Sequence, residues 1–181
     1  MPPVHAWGVY ADPLRAAVSA WKDAGRRDLD AVLVPLLAAS LDAALTGVGW
    51  NGGVVVVVPA PSSRRAVRER GDTPLTGLCE AAVAELTGRA GPVLRVAPVL
   101  RHVRRVEDQS GLGTVERRGN LAGALSVIPM WHSVIRRRRC VLVDDVVTTG
   151  ATFAEAARAL RAAGSGSVVG VSLAATQRTR G

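Results

Sequence analysis

Apolar residues first fall into a helical rhythm at Leu14, Ala17, Val18 and Trp21, one face of a segment whose start is marked by Asp12 and Pro13, an N-cap oxygen and a first-turn proline. A second series, Leu29, Val32, Leu33, Leu36, Leu37, Leu41 and Ala44, keeps the same spacing, and Pro35 within it predicts a kink or the true helix start. The rhythm then changes. Five consecutive valines at 54–58, after an Asn-Gly-Gly turn, show no alternation and predict a strand buried on both faces, as in a parallel sheet. Helical spacing returns over 74–86 and 151–163. Short apolar runs at 93–97, 124–128, 140–143 and 168–175 read as strands, the last preceded by the glycine-rich stop AAGSGS.

Strands alternating with helices predict an α/β fold, a doubly wound, mainly parallel sheet flanked by helices, in one domain spanning 1–181. No internal repeat or interdomain linker interrupts the pattern. One long irregular stretch, 101–123, is a candidate lid over a site.

Composition is that of an ordinary globular chain, 48% hydrophobic and 21% charged, and 181 residues suffice for one sizeable core. Of 23 basic residues 22 are arginine, and Lys22 alone is lysine. A net charge of +8 favours anionic partners: nucleotides, phosphorylated sugars or nucleic acid. Scarce aromatics (four Trp, one Tyr, one Phe) argue against a stacking platform for single strands. Cys79 and Cys140 lack metal-type spacing and read as small buried residues of a reducing compartment. The first residues lack a signal-peptide pattern, and the uncharged stretches 43–63 and 119–135 are broken by Asn, Gly or Pro. The expectation is a cytoplasmic protein without a membrane span.

The densest chemistry is CVLVDDVVTTGAT, beginning at Cys140. The apolar residues end a buried strand and Ala151 begins a helix. The segment between them therefore lies at the carboxyl edge of the sheet, where open α/β folds bind ligands, and both acids are expected on an exposed loop. Thr148, Thr149, Gly150, Ala151 and Thr152 offer backbone N–H donors, hydroxyls and a helix N-terminus, a combination suited to phosphate. Asp144 and Asp145 repel phosphate but accept hydrogen bonds from vicinal ribose hydroxyls, so the motif fits a ribose phosphate held at two ends. A magnesium ion on other ligand oxygens offsets the crowded negative charge. Receiver domains also carry acidic pairs at strand ends, but theirs lie at the first strand, without a Thr-Thr-Gly-Ala-Thr loop.

VLVDDVVTTGAT resembles the phosphoribosyl pyrophosphate (PRPP) signature of type I phosphoribosyltransferases. Together with YADPLRAAVSAWKDAGRRDL from Tyr10, VVVVVPAPSSRRAVRERG from Val54 and DQSGLGTVERRGNLAGAL from Asp108, it is similar to the ComF family, associated with DNA uptake in competent bacteria. The resemblance implies a type I phosphoribosyltransferase-like fold and a Mg²⁺-dependent transfer of phosphoribosyl from PRPP to a nitrogenous acceptor. Asp144 and Asp145 would be the catalytic, ribose-contacting acids, with Thr148, Thr149, Gly150, Ala151 and Thr152 around the 5′-phosphate. Ala60, Pro61 and Ser62 match the pyrophosphate loop, where backbone amides are exposed and the bond before Pro61 can be cis at little cost. Gln109, Arg117 and Asn120 match the flexible loop. The resemblance equally admits a non-catalytic accessory protein of DNA uptake that binds PRPP, single-stranded DNA or a competence helicase. Two departures stand out: the family's N-terminal zinc knuckle is absent, and Asp72, Thr73 and Pro74 replace the usual aromatic-amide continuation after Arg-Gly.

Other signals are weaker. GLGTVE from Gly111 has fingerprint glycines but follows no predicted strand. His5, His102 and His132 have no ligand-type neighbours at useful spacing and read as surface or packing residues. Arg136, Arg137, Arg138 and Arg139, and the group Arg101, Arg104 and Arg105, read first as solvated faces and second as phosphate-backbone contacts. Arg64, Arg65, Arg68 and Arg70 follow the pyrophosphate loop, within reach of an anion there.

Overall fold

A computed structural model describes residues 1–62, 73–104 and 121–177. Its centre is a five-stranded parallel sheet in the order β1-β7-β6-β2-β3, built from β1 (Val4–Val9), β2 (Val54–Pro59), β3 (Val93–Val96), β6 (Arg139–Val147) and β7 (Val168–Ala175). A separate antiparallel pair, β4 (Leu100–His102) with β5 (Leu125–Val127), sits beside it. The apolar run at 124–128 therefore forms a strand as expected, but outside the main sheet.

Helices cover both faces. Val55, Val57, Val141, Val143 and Val171 pack with α1 (Leu14–Asp23), α2 (Asp30–Gly47) and α3 (Pro74–Leu86). The alternate residues Val56, Val58, Cys140 and Leu142 pack with β4, β5, the short α4 (His132–Ile135) and α5 (Ala151–Ala162). Two-sided burial explains the unbroken valines, since a strand covered on both faces has no polar side to alternate with. At Gly170 an added Cβ would stand 2.6 Å from the Phe153 ring and 2.9 Å from Val4, so β7 needs a residue without a side chain for α5 to seat.

Several local expectations shift. α2 begins at Asp30 and runs through Pro35, which is exposed; the helix loses one backbone bond there and does not restart. Asp12 caps nothing. Its carboxylate takes two bonds from Arg15, at 3.1 and 2.7 Å, and α1 opens after Pro13. Among the described residues the cis peptide is Asp12-Pro13, and the bond between Ala60 and Pro61 is trans. By length and composition the segment Arg27–Gly47 (mean hydropathy 1.7) could cross a bilayer, but here Leu33, Leu37, Leu41 and Ala44 are buried in the core.

Candidate ligand site at the carboxyl edge of the sheet

Topology positions the site. The chain leaves β2 through α3 toward β3, and leaves β6 through α5 toward β7, in opposite directions and over opposite faces. β2 and β6 are neighbours, so a crevice opens between their carboxyl ends, the switch point at which doubly wound sheets bind ligands. Ala60, Pro61 and Ser62 stand at one lip and Asp144 to Thr152 at the other, joined where the Ala60 amide donates to the Val143 carbonyl at 2.7 Å.

The acids are not on an exposed loop. β6 continues through both of them to Val147, because its ladder with β7 extends to Val147 while its ladder with β2 stops at Val143. Asp145 is buried, and both its oxygens are engaged: Oδ1 accepts the Val146 amide at 2.8 Å, and Oδ2 receives the Lys22 ammonium at 2.5 Å. Asp144 Oδ1 accepts the Asp145 amide at 3.0 Å. Burial, then the Asp145 charge beside it, pushes the Asp144 carboxyl up to about 8, against the pull of Lys22. For Lys22, burial opposes the ammonium, but Asp145 outweighs it and the pKa is raised.

After the acids the chain turns into α5. Gly150 is its N-cap, with φ 73°, a left-handed conformation that glycine adopts without strain. No side chain caps that residue, and Thr149 Oγ1 accepts the Ala151 amide at 3.3 Å, leaving a helix start of 12 residues facing the crevice. Thr148 is exposed, Thr149 and Thr152 half-buried, Ala151 buried. The thioether of Met1 lies over Gly150, where an added Cβ would collide with it. Beyond β7, Thr176 ties this loop down: its amide donates to the Val147 carbonyl at 2.9 Å.

On the other lip a cavity of about 690 Å³ is lined by Ala60, Pro61, Ser62, Thr76, Arg101 and His102 among others. His102 Nε2 meets the Pro61 carbonyl at 3.2 Å and so links β4 to this loop. β5 is fixed to α5 by an ion pair. Buried Glu155 accepts the Leu125 amide at 3.0 Å and two bonds from Arg158, and Arg158 donates to the Leu125 carbonyl at 2.9 Å. Burial alone would raise the Glu155 pKa, but Arg158 and the Leu125 amide outweigh it, and the pKa is lowered.

The structure thus brings Asp144, Asp145, Thr148, Thr149, Gly150, Ala151 and Thr152 to one side of a crevice and Ala60, Pro61 and Ser62 to the other. Gln109, Arg117 and Asn120, with Arg64, Arg65, Arg68, Arg70 and Arg105, lie outside the described residues. Three contributors escaped the sequence reading. Lys22 carried one usable signal, being the single lysine; His102 was read as surface or packing; Glu155 on an Ala-rich helix carried none. Both cysteines are buried, and burial raises both thiols, Cys140 to about 12, in keeping with a packing role. Among the described residues no group of three or more His, Cys, Asp or Glu side chains forms a metal cage. Asp144 and Asp145 are oxygen donors of the kind magnesium takes, too few to hold it without oxygens from a bound molecule.

No family model matches the chain. It is similar to Competence protein F of Haemophilus influenzae, 38% identical over 66 residues, which cover 36% of this chain and 28% of that protein. The likeness supports a ComF-like relationship over that stretch, and the chain is an α/β protein whose five-stranded parallel sheet is flanked by helices, compatible with a doubly wound fold.

Proposed function

We propose that the crevice binds PRPP and that the chain is a type I phosphoribosyltransferase-like enzyme. The observation that carries this is the meeting, at one switch point, of an acid pair, a glycine-capped helix start and a second loop bordering a cavity. Asp144 would read the ribose hydroxyls, Asp145 would hold the edge beside it, and the 148–152 loop would take the 5′-phosphate. Ala60, Pro61 and Ser62 would face the pyrophosphate, and the cavity next to them has room for a flat nitrogenous acceptor. Magnesium, when bound with the ligand, supplies charge neutralisation on the pyrophosphate oxygens.

In the reaction, a nitrogen lone pair of the acceptor forms a bond to C1 of the ribose. The bond from C1 to the pyrophosphate oxygen breaks, pyrophosphate leaves with the electron pair, and the acceptor nitrogen gives up its proton to water. Holding the two reactants in line and stabilising charge on the ring do most of the work, a chemistry that needs no nucleophile-base pair. Incubating the protein with PRPP, Mg²⁺ and a panel of nitrogenous bases should release pyrophosphate with at least one of them. Release from none would remove the transferase reading.

A second reading is favoured by Arg136, Arg137 and Arg138, all exposed at the opposite edge of the sheet. There the chain would act as an accessory protein of DNA uptake, keeping the PRPP pocket without turnover while the arginines contact single-stranded DNA or a competence helicase. PRPP binding without pyrophosphate release would favour this reading.

A further inference from the structure

Lys22 sits in the last turn of α1, far in sequence from the acids, and reaches them because α1 is locked in place. Trp21, buried beside it, donates from Nε1 to Asp30 Oδ1 at 2.6 Å, while Arg27 lies over the indole at 5.3 Å and donates to the Trp21 carbonyl at 2.5 Å. Val18 anchors the same face. The helix is therefore fixed around its penultimate residue, and its ammonium contacts a carboxylate that is itself only 9% exposed. A carboxylate placed so deep is costly unless its cation is held beside it, and the Trp21 arrangement holds the half-buried Lys22 there.

Two carboxylates in sequence are a poor receiver for a ligand carrying several phosphate charges. Like charges a few ångströms apart repel strongly where protein displaces part of the surrounding water. We propose that Lys22 is a positioning and specificity residue of this site: it fixes the Asp145 carboxylate and cancels one charge of the acid pair, so that the pair accepts a sugar's hydroxyls without expelling its phosphates. The proposal rests on the PRPP reading for its ligand, but its physical content, charge balance by a cation from α1, is separable from it. It also divides the labour of the two acids. Asp145, bonded at both oxygens, is the anchor, and Asp144 is the acid that meets the ligand.

The test uses the full chain as wild type, Lys22→Met and Lys22→Arg, with the ligand-free melting temperature as the control for folding. PRPP and ribose 5-phosphate are each titrated calorimetrically in the presence of Mg²⁺. Lys22→Met should lose about tenfold or more in PRPP affinity and clearly less in ribose 5-phosphate affinity, because the more highly charged ligand suffers more from the uncancelled acid. Lys22→Arg, which restores the charge, should recover most of the loss. A folded Lys22→Met protein that binds PRPP like wild type, or that weakens both ligands by the same factor, overturns the proposal. If wild type binds no PRPP, the proposed function fails, and a second readout decides the role of Lys22: carboxyl ¹³C titration of Asp144 and Asp145 in the ligand-free proteins. An upward displacement of that titration in Lys22→Met sustains the charge-balancing role, and an unchanged titration overturns it.

Discussion

The two edges of the central sheet are opposite in chemistry. At the amino edge, where β6 begins, Arg136, Arg137 and Arg138 are exposed, Arg139 stacks over Trp50 at 5.7 Å, and Arg161 ends α5 nearby. The carboxyl edge holds Asp144, Asp145, three threonines and a glycine, and among the described residues the side-chain cation paired with the acids is Lys22. In a chain of net charge +8, the described residues thus set a run of exposed arginines at the amino edge, while exposed Arg101 borders the cavity beside the crevice. Side-chain charge gives a strong, geometry-tolerant attraction for any polyanion. Backbone amides at a glycine-capped helix start give a weaker attraction that selects by shape, and the acids add a demand for hydroxyls. Net charge therefore says that anions are welcome, and the backbone says where a particular one fits.

Substitutions at the two edges should differ in kind. The largest effect is expected at Gly150→Val. A β-branched residue at φ 73° carries strain of about 1 to 3 kcal/mol, its side chain runs into Met1, and it stands where the phosphate would lie. The melting temperature should fall by several degrees, at roughly 2 to 4 °C per kcal/mol, and calorimetry should detect no PRPP binding. Undisturbed affinity would leave the carboxyl edge without a phosphate loop and erase the contrast.

A smaller effect of opposite sign on stability is expected at Asp144→Asn. An acid whose folded pKa lies near 8, above its ordinary 3.8, holds its proton more firmly when folded. The stability it lends is complete below about pH 4 and is lost as pH rises toward 8, with Asp145 and Lys22 the charged neighbours that set the window. Asparagine stays neutral throughout. At pH 8 the ligand-free variant should melt about 2 to 4 °C above wild type, the change that roughly 1 kcal/mol makes at this size, while binding PRPP more weakly. Parallel melting curves for the two proteins from pH 5 to 8 would show that Asp144 is an ordinary exposed carboxylate. Asp145→Asn should not stabilise, because it strips a half-buried ammonium of its partner.

The smallest effect on the fold belongs to the other edge. Replacing Arg136, Arg137, Arg138 and Arg139 by Gln should change stability by little more than about 0.5 kcal/mol per exposed position. If nucleic acid binds there, fluorescence anisotropy across salt concentrations should give a shallower dependence of log affinity on log salt, alike for different sequences. No binding at low salt, or an unchanged slope, would make the amino edge a solvated face.

How much of this was legible in the chain follows from where the forces are local. The valine run, the helices at 74–86 and 151–163 and the last strand declare themselves, because two-sided burial and 3.6-residue spacing leave their marks on consecutive residues. β1 was missed because Val4–Val9 is an edge strand of mixed burial that mimics neither pattern. β4 and β5 were hard to place because three residues each carry too little pattern to say which sheet they join. In the site, the acids and the glycine were readable from spacing alone. The burial of Asp145 was not, since it depends on β6 outrunning β2 on one side only. Lys22, His102 and Glu155 reach their partners across 123, 41 and 30 residues of sequence, and no local rule connects such positions.

The central claim, that one crevice grips a phosphorylated ribose and its pyrophosphate together, is tested most directly by thermal shift with Mg²⁺ throughout, comparing PRPP with ribose and with inorganic phosphate. On the proposed reading, PRPP alone of the three would engage the acids, the threonine loop and the loop at Ala60, Pro61 and Ser62 at once. At about 100 times its dissociation constant it should stabilise the fold by roughly 2.7 kcal/mol, raising the melting temperature by about 5 to 10 °C, while ribose and phosphate at the same concentration leave it nearly unmoved. Equal shifts from PRPP and free phosphate would contradict the account, since the acid pair would then not be reading a sugar.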